Sequence, residues 1–217
     1  EESRFGAHGV FDDSVSTQDK DRFFDAFLKA KNNLAPFLSP LPQELPLFFI
    51  LKNLDAKTIP LWVGGWYTQE KIFLQPIAVL WGKGLLDDVV LIEYAHFIID
   101  RKTHFLCPPW LHELLALTYA KKLKTGLKPS VKPKNKRFSS FDYYTKSQQH
   151  LAFYSYSQDF FMLSQGFSLF LTKQCGEDFF NRLLGFMHQK NSWQQSFIKA
   201  CSFKAPQLYH KFFLTLP

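Results

Sequence analysis

An α+β protein, with a small mixed sheet in its N-terminal half and a mainly helical C-terminal half, is what three features of this 217-residue sequence predict. Short apolar runs of strand length alternate with Pro40, Pro42, Pro46, Gly64 and Gly65 before residue 77. From Leu85 onward the apolar residues recur at helical spacing instead. Hydrophobic content of 46%, with 25 Phe and only 10 Gly, excludes disordered, collagen-like and low-complexity chains, and the length suffices for a core that needs neither disulfide nor metal.

Taken in order, residues 1–16 are polar and read as loose. A helix follows, capped by Ser16 or Thr17, with Phe23, Phe24, Phe27 and Leu28 along one face and its end near Asn33, ahead of Pro36. The run from Leu47 to Lys52 is a strand. A second extended pair covers Leu61 to Val63 and Trp66 to Gln75, with Gly64 and Gly65 allowing a tight turn or bulge between them. Helices then span Leu85 to Ile99, and Trp110 to Leu123 behind the Pro108–Pro109 step, where proline suits a helix start. Beyond a basic stretch come Leu151 to Gln174, ending at Gly176 as the C′ residue, then Glu177 to Gln189, Ser192 to Cys201 with Ser192 and Gln195 as a capping box, and Ala205 to Leu216. This gives an N-terminal region of sheet and helices over residues 1–120, a basic linker over residues 121–137 and a helical region over residues 138–217, expected to form one compact body.

The positive charge is localised. Net charge is +7, yet Lys121 to Arg137 alone carries eight basic residues and no acid, so the rest of the chain sums to −1. Gly126, Pro129 and Pro133 make that stretch an extended, exposed connection. It reads either as a linker kept soluble by charge or as a contact for nucleic acid or an anionic membrane, since clustered Lys gains from counterion release or acidic headgroups. No apolar run reaches the roughly 20 residues that cross a bilayer. Three distant cysteines, Cys107, Cys175 and Cys201, fit neither a disulfide framework nor a metal knuckle and read as buried apolar residues. The chain begins at Glu1 without Met, as a trimmed signal or anchor would leave it, so an exported or envelope-associated protein is one expectation and the compartment is otherwise open. The many aromatics, Trp62, Trp66, Trp81 and Trp110 among them, read as core before ligand platform.

Residues 91–120 read LIEYAHFIIDRKTHFLCPPWLHELLALTYA. Glu93 and His96 share one helix, and Glu113 opens the next after a Pro-Pro-Trp step. This stretch resembles the gluzincin metallopeptidases, in particular the peptidase MA-like domains, whose signature is HExxH followed by a zinc-binding Glu in PxWLxEGxA. The resemblance extends upstream through LPLFFILK, PLWVGGWY and IFLQP. Downstream it continues through FMLSQGFSLFLTKQCG and SFIKACSFKAPQLYHKF, and so covers most of the chain.

What the resemblance implies is a zincin-like helical core under the sheet, with two His one helical turn apart and a Glu holding zinc, and a second Glu taking a proton from the metal's water. Residue by residue, Glu93 stands at the general-base position, His96 at the second ligand and Glu113 at the third. Position 92, the first ligand, is Ile, which has no donor atom. Phe161 stands where the family has a Tyr that donates to the oxyanion, and Phe cannot donate. Tyr154 or Tyr156 would serve only in another helix register. His112 lies about 100° around its helix from Glu113, which turns it from the metal position, and His104 and His150 are the other candidate replacements. The leading expectation is a pseudopeptidase without zinc, holding an unknown protein or peptide in its cleft. The alternatives are an active zinc peptidase with a substituted ligand, and an anionic-surface or nucleic-acid binder working through Lys121 to Arg137.

Overall fold

A computed structural model describes residues 1–53, 63–68, 71–122, 133, 135–147 and 154–217. The fold is α+β, with a five-stranded mixed sheet in the N-terminal half and helices dominating the C-terminal half. Two compact units make up the chain, residues 1–98 and 99–217, and the division falls inside a helix.

In the first unit the strands are β1 (Glu2–Arg4), β2 (Ala7–Val10), β3 (Leu47–Ile50), β4 (Gly65–Tyr67) and β5 (Ile72–Leu74), in sheet order β1-β2-β3-β5-β4. β2, β3 and β5 run parallel, and β1 and β4 are antiparallel edges. Residues 1–10 are therefore a hairpin and not the loose segment expected. Its turn places Phe5 and Gly6 at positive φ (55° and 90°), and Ala7 is buried as the strand enters the core.

Helix α1 (Thr17–Leu38) starts at Ser16, whose hydroxyl accepts from the Asp19 N–H at 3.1 Å. It runs five residues past the expected end and contains Pro36. Leu34 and Leu38 continue the buried stripe of Phe23, Phe27 and Ala30, so burial extends the helix through a proline that falls within its last turn. Phe23 and Phe27 pack edge-on against Phe48 of β3 at 5.0 and 5.8 Å, and Phe27 meets Tyr94 at 4.9 Å. A short helix, α2 (Ile77–Gly82), has no counterpart among the elements expected from the sequence. On the sheet, Trp66, Phe73 and Phe49 form one row across β4, β5 and β3, stacked face to face at 4.9 and 5.4 Å. Phe73, in the middle, stacks on both neighbours, and the Lys71 ammonium lies 5.1 Å over the Phe49 ring. Trp81 departs from the expected core role: it is exposed, with the Arg22 guanidinium 4.7 Å above its ring. Trp62 lies outside the described residues.

Helix α3 (Leu86–Thr103) carries the chain through the division. The second unit continues with α4 (Pro109–Lys122), a 3₁₀ turn (Lys136–Ser139), α5 (Phe141–Ser147), α6 (Tyr154–Cys175), α7 (Phe179–His188), α8 (Trp193–Cys201) and α9 (Ala205–Thr215). Gly176 has φ of +93° at the α6 terminus, and the Ser192 hydroxyl accepts from Gln195 N–H, as the sequence predicts. Tyr144 of α5, not anticipated as an element, sits in the core of this unit. Its ring stacks on Tyr209 at 4.6 Å and Phe160 at 5.2 Å, and its hydroxyl pairs with Ser164 at 2.8 Å. Of the basic stretch, Lys121 and Lys122 close α4, inside the helix expected over Trp110 to Leu123, and Lys136 and Arg137 open the 3₁₀ turn, so the far end is helical where extended chain was expected. Residues 123–132 and 134 lie outside the description. Among the described residues no helix is long and apolar enough to cross a membrane.

Candidate functional site

Helix α3 is favoured by Asp87 and Asp88 in its first turn and Arg101 and Lys102 in its last, which complement the helix dipole. It places Ile92, Glu93 and His96 on one element as expected, Ile92 and His96 being one turn apart. Glu93 is 7% exposed and His96 4%, while Ile92 is half-buried. The edge strand β4 lies directly on this stretch. A Cβ at Gly65 would come within 2.9 Å of Val89 and 3.0 Å of the Glu93 Cγ, and one at Gly64 within 2.5 Å of Val89. The two glycines are what allow backbone to approach a helix that closely. From the same strand the Tyr67 ring lies parallel to the His96 imidazole, 6.2 Å away and 3° from coplanar orientation. Tyr67 was not singled out from the sequence. The GGWY step held the signal, since small residues beside an aromatic mark close backbone approach.

Glu113 lies on α4, in the second unit, and is half-buried. Its charge adds to the upward push on the Tyr144 phenol, where burial is the main cause and the Ser164 hydrogen bond opposes it. His96 and Glu113, expected to converge, fall in different units. His112 faces Asp100, with Nε2 3.2 Å from Oδ1 and both side chains largely buried. Asp100 also contributes, after burial, to the upward shift of the Cys107 thiol. A thiol held protonated in this way is a poor nucleophile.

Phe161 lies on α6 and packs edge-on against Phe160 at 5.7 Å. The side chains of Tyr154 and Tyr156 lie outside the described residues, as does His150. His104 takes a capping role. Its ring N–H donates to the His188 carbonyl at 3.1 Å while the His188 ring donates to the Lys102 carbonyl at 3.0 Å, each imidazole satisfying the other helix's end. His104 and Phe105 have positive φ (51° and 60°) at the end of α3, where the Phe105 N–H donates to the Asp100 carbonyl at 2.9 Å. The cysteine expectation is corrected: Cys175 and Cys201 form a disulfide with Cα atoms 5.0 Å apart, and only Cys107 is free. The pairing was hidden because 25 intervening residues fold as two helices before the second cysteine returns. Arg182 spans the same junction, donating to the carbonyls of Cys175 at 2.6 Å and Ala200 at 3.0 Å.

The donor chemistry does not fit a resident zinc of the gluzincin type. At the three positions where the resemblance would place ligands, the chain has the imidazole of His96, the carboxylate of Glu113 and the hydrocarbon of Ile92, and sites of that type use three protein ligands. Among the described residues no group of three or more His, Cys, Asp or Glu is arranged to hold a metal ion. Compared with known proteins, the chain matches no family model, no curated relative and no solved structure.

Proposed function

We propose that this chain is a gluzincin-like pseudopeptidase, a module that keeps the peptide-binding surface of such a domain and has lost its catalysis. The observation that carries the reading is Ile92, one helical turn before the buried His96, where the chemistry requires a donor. Phe161 is a second, independent loss, because a phenyl ring cannot donate to a developing oxyanion. His112 is engaged by Asp100 and His104 by His188, which argues against either acting as the substitute ligand.

Binding would fall on β4. This strand pairs with β5 on one side, and among the described residues no strand pairs with its other side. An extended peptide added there would gain main-chain hydrogen bonds and would run past Tyr67, Glu93 and His96. No cofactor is part of this reading. The Cys175–Cys201 bond supports an oxidising compartment, where such bonds persist.

Elemental analysis of the purified protein tests the central point. Zinc well below one ion per chain is expected, and stoichiometric zinc would favour an active peptidase with a substituted ligand. The Ile92→His variant sharpens the test. If Glu93, His96 and Glu113 hold the positions the resemblance implies, the folded variant gains zinc affinity and a zinc-dependent rise in melting temperature. It stays a poor peptidase until Phe161→Tyr is added. A folded variant with no such gain would remove the ground for the gluzincin reading.

A further inference from the structure

From residue 179 to residue 217 the chain contains no Asp or Glu but five Lys and Arg, Arg182, Lys190, Lys199, Lys204 and Lys211. The same segment exposes three large apolar side chains: Ile198 at 41%, Phe203 at 42% and Leu214 at 68%. These two facts meet on α8 and α9. The left-handed Ser202 ends α8 by donating its N–H to the Ile198 carbonyl at 2.7 Å, a closure that brings Phe203 back beside the last helical turn. The Lys211 ammonium then lies 5.0 Å over the Phe203 ring. Along α9, Lys204 and Lys211 are seven residues apart and Leu214 three further on, so all three fall on one side of the helix. The adjoining side, with Leu208, Tyr209 and Phe212 centred about 120° around the helix, is buried.

We infer that the outer surface of α8 and α9 docks on a phospholipid bilayer bearing anionic headgroups. Charge complementarity selects an anionic partner, because no carboxylate in this segment offsets the lysines. The apolar members select a bilayer over a nucleic acid. Phe203 could stack on a base, but Ile198 and Leu214 have no π-face and gain only by leaving water for an acyl boundary. Lysines flanking apolar side chains are the composition of helices that lie in a membrane interface, where the ammonium reaches the headgroups and the stem covers apolar surface. None of the residues it uses belongs to β4 or to the basic stretch 121–137, and the inference stands whatever becomes of the pseudopeptidase reading.

The test is flotation of the whole chain with vesicles of phosphatidylglycerol and phosphatidylcholine, against phosphatidylcholine alone. Binding is expected to the anionic vesicles only, and to weaken with added salt. A Lys199→Gln, Lys204→Gln, Lys211→Gln triple variant is expected to lose roughly a hundredfold in affinity, at about fivefold per lysine. A Phe203→Ser, Leu214→Ser variant should lose about tenfold or more at unchanged charge. Both variants change exposed side chains, so unchanged circular dichroism is expected and would assign the losses to the surface. No binding to anionic vesicles would overturn the inference. So would binding that both variants retain, as would tight binding to single-stranded nucleic acid by a protein that leaves the vesicles untouched.

Discussion

Residues 1–98 carry nine Lys and Arg against thirteen Asp and Glu, a net −4, whereas residues 99–217 carry seventeen against six, a net +11. The two units also use their charges differently. In the first, basic side chains are tied to carboxylates across elements: Arg4 to Asp21, Lys20 to Glu2 and Lys29 to Asp87. In the second, Lys199 of α8 and Lys211 of α9 turn to an amide oxygen and a ring face, Lys199 to Asn191 and Lys211 to Phe203. Buried hydroxyls do the cross-linking there: Tyr144 to Ser164, Thr118 to Ser168 and Tyr209 to the Phe138 carbonyl. A surplus of one sign at the surface cannot hold helices together, so internal polar pairs and a covalent bond do so. In the first unit the ion pairs named above join separate elements, whereas in the second Lys146 pairs with Asp142 and Arg182 with Asp178 four residues apart on the chain.

The largest effect that separates the units is expected from the disulfide. Replacing Cys175 and Cys201 by Ser should destabilise the second unit by about 3 to 4 kcal/mol, the loop-closure value for their spacing. Hydrogen exchange should show the loss in residues 99–217, with 1–98 unchanged. Equal losses in both would mean that the units do not unfold separately. Arg182 bridges the same helix ends, so Arg182→Ala should be more damaging in the cysteine-free protein than in the parent.

The mirror experiment acts on the first unit. Gly65→Ala places a methyl group 2.9 Å from Leu74 and Val89, and overpacking of this kind costs about 1 to 3 kcal/mol. Protection should fall in β4, β5 and the Val89 to His96 turns. An unchanged melting temperature would show that β4 does not lie on the helix.

A smaller contrast is confined to alkaline pH. Burial pushes Tyr94 of the first unit up to about 12, and raises Tyr119, Tyr144 and Tyr209 of the second further. A phenol whose folded pKa lies above its ordinary value contributes stability that is complete below pH about 10 and is lost as the pH rises through the folded value. Tyrosinate absorbance from Tyr119, Tyr144 and Tyr209 should therefore appear only together with loss of circular dichroism. Tyr94→Phe should remove the earliest buried component.

The least effect is expected from Glu2, whose carboxyl is held below its ordinary pKa chiefly by the Lys20 hydrogen bond and then by the Lys20 and Arg4 charges. With the folded pKa lowered, its contribution is present above the unfolded value and is lost as the pH falls through the folded one. The melting temperatures of Glu2→Gln and the parent should differ slightly at neutral pH and converge in acid. This exposed cluster is screened, so added salt should erase the difference as well.

Local chemistry was legible in the residues alone. The caps at Ser16, Ser192 and Gly176, the proline start of α4, the spacing that puts Ile92, Glu93 and His96 on one helix, and the donorless Ile92 are properties of a few neighbouring residues. The tertiary structure decided everything that depends on residues far apart in the chain. The Glu2–Val10 hairpin exists because Ala7 enters the core and Gly9 lets Phe11 and Phe23 close over it. Helix α1 passes Pro36 because Leu34 and Leu38 are buried. Tyr67 meets His96, and Cys175 meets Cys201, through contacts that no window of neighbouring residues contains. Propensity and capping act over a turn or two, whereas burial rewards whichever distant surfaces the chain brings together, and only the folded chain specifies which those are.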